Sequence, residues 1–350
     1  FAVGVFATTS SPLVSLSMFF YSVKIMFVQG RGANMNISKV SSVVESSSVP
    51  KKMTVDAHKA MPIIAVCIGQ TIWGFSYLFT KTAMNYASPD QLLSVRFIIA
   101  TIIMTFMLFT GKYKISLKGK KIKTLMLLGI MEPLYFYFES YGILYTNATL
   151  AGVIVAVVPV VSILLAVLLL KEYPTKRQTF YCFLPIIGVI IITISSSSLG
   201  IAKPFGIFLL FCTCITLALY RVINRKSAEE YSAFERTYIV LVVSSIVFTV
   251  SALRQTGWNF STYIKPVFNM DFIVPVLILS VFCSVTAYML VNYAAGEISV
   301  AKLSTFGTLT TVWSMFSGVI FLKEPITVMS FLGSLLILIG IWKVTKEEQK

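Results

Sequence analysis

Glu132 and Glu139 are two carboxylates set seven residues apart in IMEPLYFYFESYG, residues 130–142, in the middle of a long apolar run. On a helix that spacing puts both on nearly one face, with Tyr135 and Phe136 between them. A formal charge at a bilayer centre costs about 2.5–3.5 kcal/mol on insertion scales, so such residues face the protein interior or water. Burial also disfavours the ionised form of a carboxyl. Two kinds of chemistry fit: a counter-charge for a cationic group, or a proton relay that loads on one side and unloads on the other. The neighbouring tyrosines add hydrogen bonds and flat faces for an aromatic or cationic group. The plainer alternative is a glutamate held neutral, or paired with Arg96, that only ties helices together.

The elements that must position these residues are apolar helices. The chain is 57% hydrophobic and 12% charged, about half the charge of an ordinary soluble domain. Ten apolar runs recur at about 61–80, 91–110, 124–145, 148–169, 178–196, 204–223, 235–253, 272–293, 300–322 and 326–343. Most are long enough to cross roughly 30 Å of hydrocarbon as helices, and backbone groups in lipid must pair within their own segment. The composition predicts an all-α, polytopic integral membrane protein with ten transmembrane helices.

The net charge of +15 orients the chain and does not mark a nucleic-acid partner. With alternating sides, nineteen basic residues fall on one side, among them Lys112, Lys114, Lys118, Lys120, Lys121, Lys123, Arg221, Arg225 and Arg236. Only Lys81, Lys203, Arg254, Lys265 and Lys323 fall on the other. A positive-inside bias of that size predicts cytoplasmic termini. The five cysteines lie in apolar segments and the one histidine, His58, precedes the first run. Neither a metal site nor a cofactor is expected, and the clustered His, Asp or Cys of a membrane enzyme is missing. No G-x-x-x-x-G-K-[ST] phosphate loop marks an ATP-driven pump.

Shifted by 152 residues, the two halves match. LKEYPT (170–175) lies over LKEPIT (322–327), and Tyr141, Ser162, Ile187 and Gly188 meet Tyr293, Ser314, Ile339 and Gly340. Earlier in each half the shift is 145, pairing Thr71, Lys81 and Tyr86 with Thr216, Lys226 and Tyr231. Each half holds five spans, an odd number, so the second enters the membrane upside down. Two inverted five-helix repeats predict alternating access around a central site. The expected segments are 1–59, an N-terminal extension and poorly ordered cytoplasmic tail; 60–198 and 199–345, the repeats; and 346–350, a cytoplasmic end.

Small and polar stripes mark helices facing protein or water. The fourth span carries Gly152, Ala156, Pro159, Ser162 and Ala166; the ninth carries Ser304, Thr308, Thr311, Ser314 and Gly318 at the same positions plus 152. Close helix packing alone explains such stripes as well as solute contact does. The first span presents Gln70, Trp73, Gly74, Tyr77 and Lys81 on one face, the sixth Thr213, Thr216 and Tyr220, and the eighth Ser284, Tyr288 and Asn292. Spans 1, 3, 4, 6, 8 and 9 are expected to line a path, and 2, 5, 7 and 10 to support it. Arg96 is read as structural, and Glu172 and Glu324 as capping or ion-pair residues.

WGFSYLFTK, SVRFIIA, the segment from YFESYGILYTNATLAGVIVAVVPV into LLLKEYPTKRQ, and the recurring FLKEPIT resemble the EamA-type permeases of the drug/metabolite transporter superfamily. The resemblance covers about residues 60–345. It implies a secondary transporter in the plasma membrane, exporting small metabolites such as amino acid-like or cationic and aromatic compounds. Protons are the candidate coupling ion, and the assembly is a monomer or homodimer. A passive facilitator for the same solutes is the alternative, ahead of a membrane enzyme or a scaffold.

Overall fold

Apolar runs broken by Gly, Pro and charged turns fold into helices that hide their small and polar faces from the surroundings. The computed structural model describes residues 51–145, 154–155, 157–196, 203–322 and 328–347. Among these, the long helices are α1 (Lys51–Ala83), α2 (Pro89–Phe109), α3 (Ile122–Tyr145), α4 (Val158–Leu170) and α5 (Lys176–Ser196). They continue with α6 (Pro204–Ser227), α7 (Ala233–Gln255) and α8 (Met270–Glu297). Last come α9, built of Val300–Gly307 and Leu309–Leu322, and α10 (Val328–Glu347). Five described stretches are long and apolar enough to cross a membrane by themselves: Ala60–Thr80, α2, α6, α7 and α8.

Local chemistry sets the ends. Ser88 caps α2 by accepting from the Gln91 N–H while the Gln91 side chain accepts from the Ser88 N–H. Ser232 and Glu235 repeat that box at α7, satisfying donors that a helix start leaves open. α4 stops where Lys171 turns left-handed at φ 57°, three residues before Pro174. Outward faces are apolar, as Phe205, Phe208, Phe211 and Ile215 show on α6, while Leu209, Leu210, Thr213 and Cys214 of the same helix are buried.

The packing respects the two halves. α1 packs on α8 and α9, and α6 packs on α3 and α4; α2 meets α8, and α7 meets α3. α2 pairs with α7 and α5 with α10. Exchanging each helix for the one five places away leaves this set of contacts unchanged. The α5–α10 crossing needs glycine: a Cβ on Gly188 would strike the Gly333 carbonyl, and one on Gly340 would strike Pro185. Those two glycines are 152 residues apart, and they let the backbones approach.

The connections sort to two ends. At one, Lys120 Nζ pairs with Glu235 at 3.0 Å, Lys121 with Glu230 at 3.5 Å and Arg225 with Glu172 at 3.0 Å. The Lys121 N–H, donated to Glu230, holds that half-buried carboxyl below the usual carboxylate range. At the opposite end Tyr86 donates to Asp271 at 3.2 Å, and Gln91 Nε2 donates to the carbonyls of Thr262 and Tyr263 at 3.3 Å. The loop between α7 and α8 holds a short helix, Phe260–Ile264, with Trp258, Phe260, Phe268 and Met270 exposed, the pattern of side chains at a membrane–water interface.

Three local features stand out. Residues 51–59, read as part of the tail, continue α1 as helix, because KKMTVDAHKA contains no Gly or Pro to stop it. α3 runs unbroken through Pro133. α9 is broken without a proline: it turns at Thr308, whose hydroxyl donates to the Thr305 carbonyl at 2.7 Å, and restarts at Leu309. The matching place in α4 is the turn at Val157, just before Pro159. Residues 1–50, Gly152, the side chains of Ala156, Ser314 and Gly318, and the segment holding Lys323 and Glu324 lie outside the described residues.

Candidate functional site

The middle of α8 is wound as a π-helix over Leu279–Thr286, and the wider turn changes what its backbone can accept. Trp73 on α1 donates its indole N–H to the Cys283 carbonyl at 2.9 Å. Its ring also stands edge-on to Tyr288 with centroids 5.1 Å apart. π-segments of this kind occur often at functional sites. Within the same segment, Ser284 accepts from Arg96 Nε at 2.7 Å. Arg96 is only 6% exposed, so it turns into the bundle and does not snorkel outward.

Glu132 joins this group. It is 4% exposed and accepts a hydrogen bond from the Tyr288 hydroxyl. The Arg96 charge lies within electrostatic reach of it. Helices α1, α2, α3 and α8 thus meet through Trp73, Arg96, Glu132, Ser284 and Tyr288. Glu132 and Ser284 are also repeat partners, 152 residues apart, so one equivalent position supplies the acid and the other the hydroxyl.

About one helical turn nearer the basic end lies a second network. Asn292 accepts from Asn224 Nδ2 at 2.7 Å and from the Tyr220 hydroxyl at 3.4 Å, and it donates to Thr237 at 2.8 Å. Arg236 Nη1 donates to the Asn224 carbonyl at 2.9 Å and to its side-chain oxygen at 2.6 Å. This guanidinium is 2% exposed. The network rigidifies the region where α6, α7 and α8 converge, since buried polar groups are stable when paired.

Toward the opposite end, Tyr135 donates to Glu139 at 2.8 Å, one turn along α3. Both are partly accessible within the bundle. Beside them is Arg221 of α6, whose charge acts on Tyr135 and on Cys214. Its guanidinium lies against Gly307, at the break in α9: a Cβ there would fall 2.8 Å from Nη2.

Not every expected site residue belongs to these groups. Gln70 accepts from Thr310 at 2.6 Å and ties α1 to α9. Gly74 lies on the same contact, against Trp313 and Thr310. Thr216 donates to the carbonyls of Cys212 and Thr213, and Thr308 to that of Thr305, so both are satisfied by their own helices. Pro159 is buried at the start of α4 and Thr311 sits in the first turn of the second half of α9. The side chain of Tyr77 lies outside the described residues.

Sequence reasoning missed Arg221, Arg236, Asn224, Thr237 and Thr310. Arg221 and Arg236 are counted by charge with the basic loops, although both point into protein. A signal existed for Arg221, which falls inside its apolar run, LALYRVI. α2 and α7, expected only to support, contribute Arg96, Arg236 and Thr237. A cleft of about 160 Å³ at the basic end is lined by Glu172, Arg225, Glu229 and Gly296, and another of about 240 Å³ by Glu172, Tyr173, Gln178 and Ser299. Neither reaches the two membrane glutamates.

The sequence matches the EamA-like transporter family at residues 60–194 and again at 204–345. It is 29% identical over 289 residues to the uncharacterized transporter YcxC of Bacillus subtilis (strain 168), spanning 81% of this chain and 93% of that one. An uncharacterized transporter of Archaeoglobus fulgidus is 24% identical over 288 residues, spanning 81% and 98%. A solved crystal structure with 15% identity matches at a TM-score of 0.66 over 81% of this chain and 97% of that one, a likeness of fold.

Proposed function

The chain belongs to the EamA-like transporter family, and from that premise we propose that it is a secondary active exporter of small metabolites working by alternating access. The observation that carries this reading is the exchange symmetry of the main helix packing, in which α1 on α8 and α9 has its counterpart in α6 on α3 and α4, and α2 on α8 in α7 on α3. Two repeats of that kind can swap conformations and so move the opening of one central site from side to side.

In this reading the basic end faces the cytoplasm, following the bias of Lys and Arg in the short loops, and the membrane is the plasma membrane. Trp73, Tyr135, Glu139, Tyr220 and Tyr288 line the path. Glu139 takes up and releases the coupling proton; Tyr135 holds its carboxyl in place. Glu132 serves as a fixed counter-charge to Arg96. The solutes are amino acid-like, cationic or aromatic small molecules.

Proteoliposomes test it. A pooled panel of amino acids and cationic metabolites is offered under an imposed proton gradient, and lumenal contents are read by mass spectrometry. Accumulation of one compound above the outside concentration supports the reading. Equilibration without accumulation makes the protein a passive facilitator instead.

A further inference from the structure

Among the described residues three arginines lie within the bundle, and two of them make hydrogen bonds, although Arg236 Nε is left without one. Arg96 has Ser284 and the nearby Glu132; Arg236 has the Asn224 and Asn292 oxygens. Arg221 differs. Its Nη1 is buried with no hydrogen-bond partner among the described residues, and it forms no ion pair among them. A buried guanidinium nitrogen without a partner is costly, and intramembrane charges of this kind mark solute or ion pathways.

The surroundings narrow the ligand. The Arg221 guanidinium is seated where the backbone of α9 breaks, close against Gly307, where a Cβ would fall 2.8 Å from Nη2. Broken helices line the central sites of secondary transporters. Within reach of the Arg221 charge is Tyr135, whose hydroxyl is already committed to Glu139. A planar guanidinium fork matches a carboxylate bidentately. With Glu139 held on the same Tyr135 hydroxyl, a second negative charge on the ligand would be repelled.

We propose that Arg221 binds the carboxylate of the transported solute, so that the solutes of this protein are small monocarboxylates and zwitterions. The proposal rests on the transport reading for the word "transported" and on the geometry for the site. Exchanging the guanidinium for a neutral amide removes a charge-assisted pair in a desolvated place, which weakens binding on the order of 100-fold. Lysine keeps the charge without the fork and falls between the two.

The test uses matched probes on the purified full chain in nanodiscs, read by thermal unfolding: benzoate against benzamide, phenylalanine against phenylalaninamide, and inorganic phosphate. The expected result is that a carboxylate raises the melting temperature and its amide does not. Arg221→Gln abolishes that shift, and Arg221→Lys keeps part of it. On the wild type, phenylglyoxal labelling of Arg221, read by peptide mass spectrometry, slows when the same carboxylate is present, and this arm does not depend on any variant folding.

Amides that stabilise as well as their acids, phosphate that outcompetes every carboxylate, no shift from any carboxylate, or unprotected Arg221 each overturn the proposal. The two readings fail separately. Carboxylate binding at Arg221 without uptake into proteoliposomes removes the transport reading and leaves the site. Uptake of a carboxylate-free amine that Arg221→Gln does not alter removes the site and leaves transport.

Discussion

Arg96 of α2 and Ser284 of α8 are joined by a 2.7 Å hydrogen bond from Nε to the hydroxyl, at the position where the other repeat carries Glu132. The arginine therefore addresses both repeat partners: one by contact, the other by charge. A buried cation held this way matters most when its partner is removed.

Arg96→Ala leaves Glu132 without its counter-charge and is expected to cost roughly 3–5 kcal/mol of stability. Adding Glu132→Gln to that variant recovers part of the loss, since the amide needs no counter-charge. Thermal unfolding of the two single variants and the double variant, read as a cycle, checks this. Strict additivity would mean the two side chains do not interact.

Glu172 joins three connections at the basic end. It accepts from Arg225 and from the Val300 N–H at 3.2 Å, and Arg225 also donates to the Gly296 carbonyl. Both side chains remain more than a quarter exposed, so the pair contributes about 0–1 kcal/mol. That is too little to alter folding but enough to shift an open–closed balance by up to about fivefold. In a Gly296→Cys background, Glu172→Gln is expected to speed maleimide labelling by that factor with an unchanged melting temperature. Equal labelling would show that this cluster does not hold the end shut.

The α5–α10 crossing depends on its glycines. Gly340→Val places branched carbon where Pro185 and Leu184 already stand, and overpacking of this kind costs about 1–3 kcal/mol. The variant should unfold at lower temperature than the wild type, and Gly333→Ala, beside the same contact, should make the crossing worse at Gly188. An unchanged melting temperature for Gly340→Val would mean the two helices separate freely.

Trp73→Phe keeps the ring against Tyr288 but leaves the Cys283 carbonyl in the π-segment without its indole donor. Loss of one buried hydrogen bond costs about 1–3 kcal/mol. Uptake should fall while Trp73→Phe protein still purifies as a folded monodisperse species. A variant with normal uptake and stability would remove the indole N–H from the account.

Much of the frame was legible because its physics is one-dimensional. Run lengths gave the helix order, and the clustering of Lys112, Lys114, Lys118, Lys120 and Lys121 marked one end. What one dimension cannot supply is the rotation of each helix about its axis. Thr216 and Thr308 read as cavity residues, and each also donates to a carbonyl of its own helix, a bond invisible in a polar stripe. Arg221 and Arg236 read as loop charges because a residue near a helix end can point to water or into protein with the same sequence. The π-segment at Leu279–Thr286 had no signature. The paired carboxylates of α3 were legible from their cost alone, and Glu132 and Glu139 do face protein, each hydrogen-bonded by a tyrosine.

The most direct measurement compares wild type and Glu139→Gln in proteoliposomes under two regimes, solute counterflow without a proton gradient and accumulation with one. The account predicts that Glu139→Gln still exchanges solute by counterflow but no longer accumulates it when the gradient is imposed. Gradient-driven accumulation by Glu139→Gln equal to that of the wild type would contradict it, leaving Glu139 a structural acid held by Tyr135.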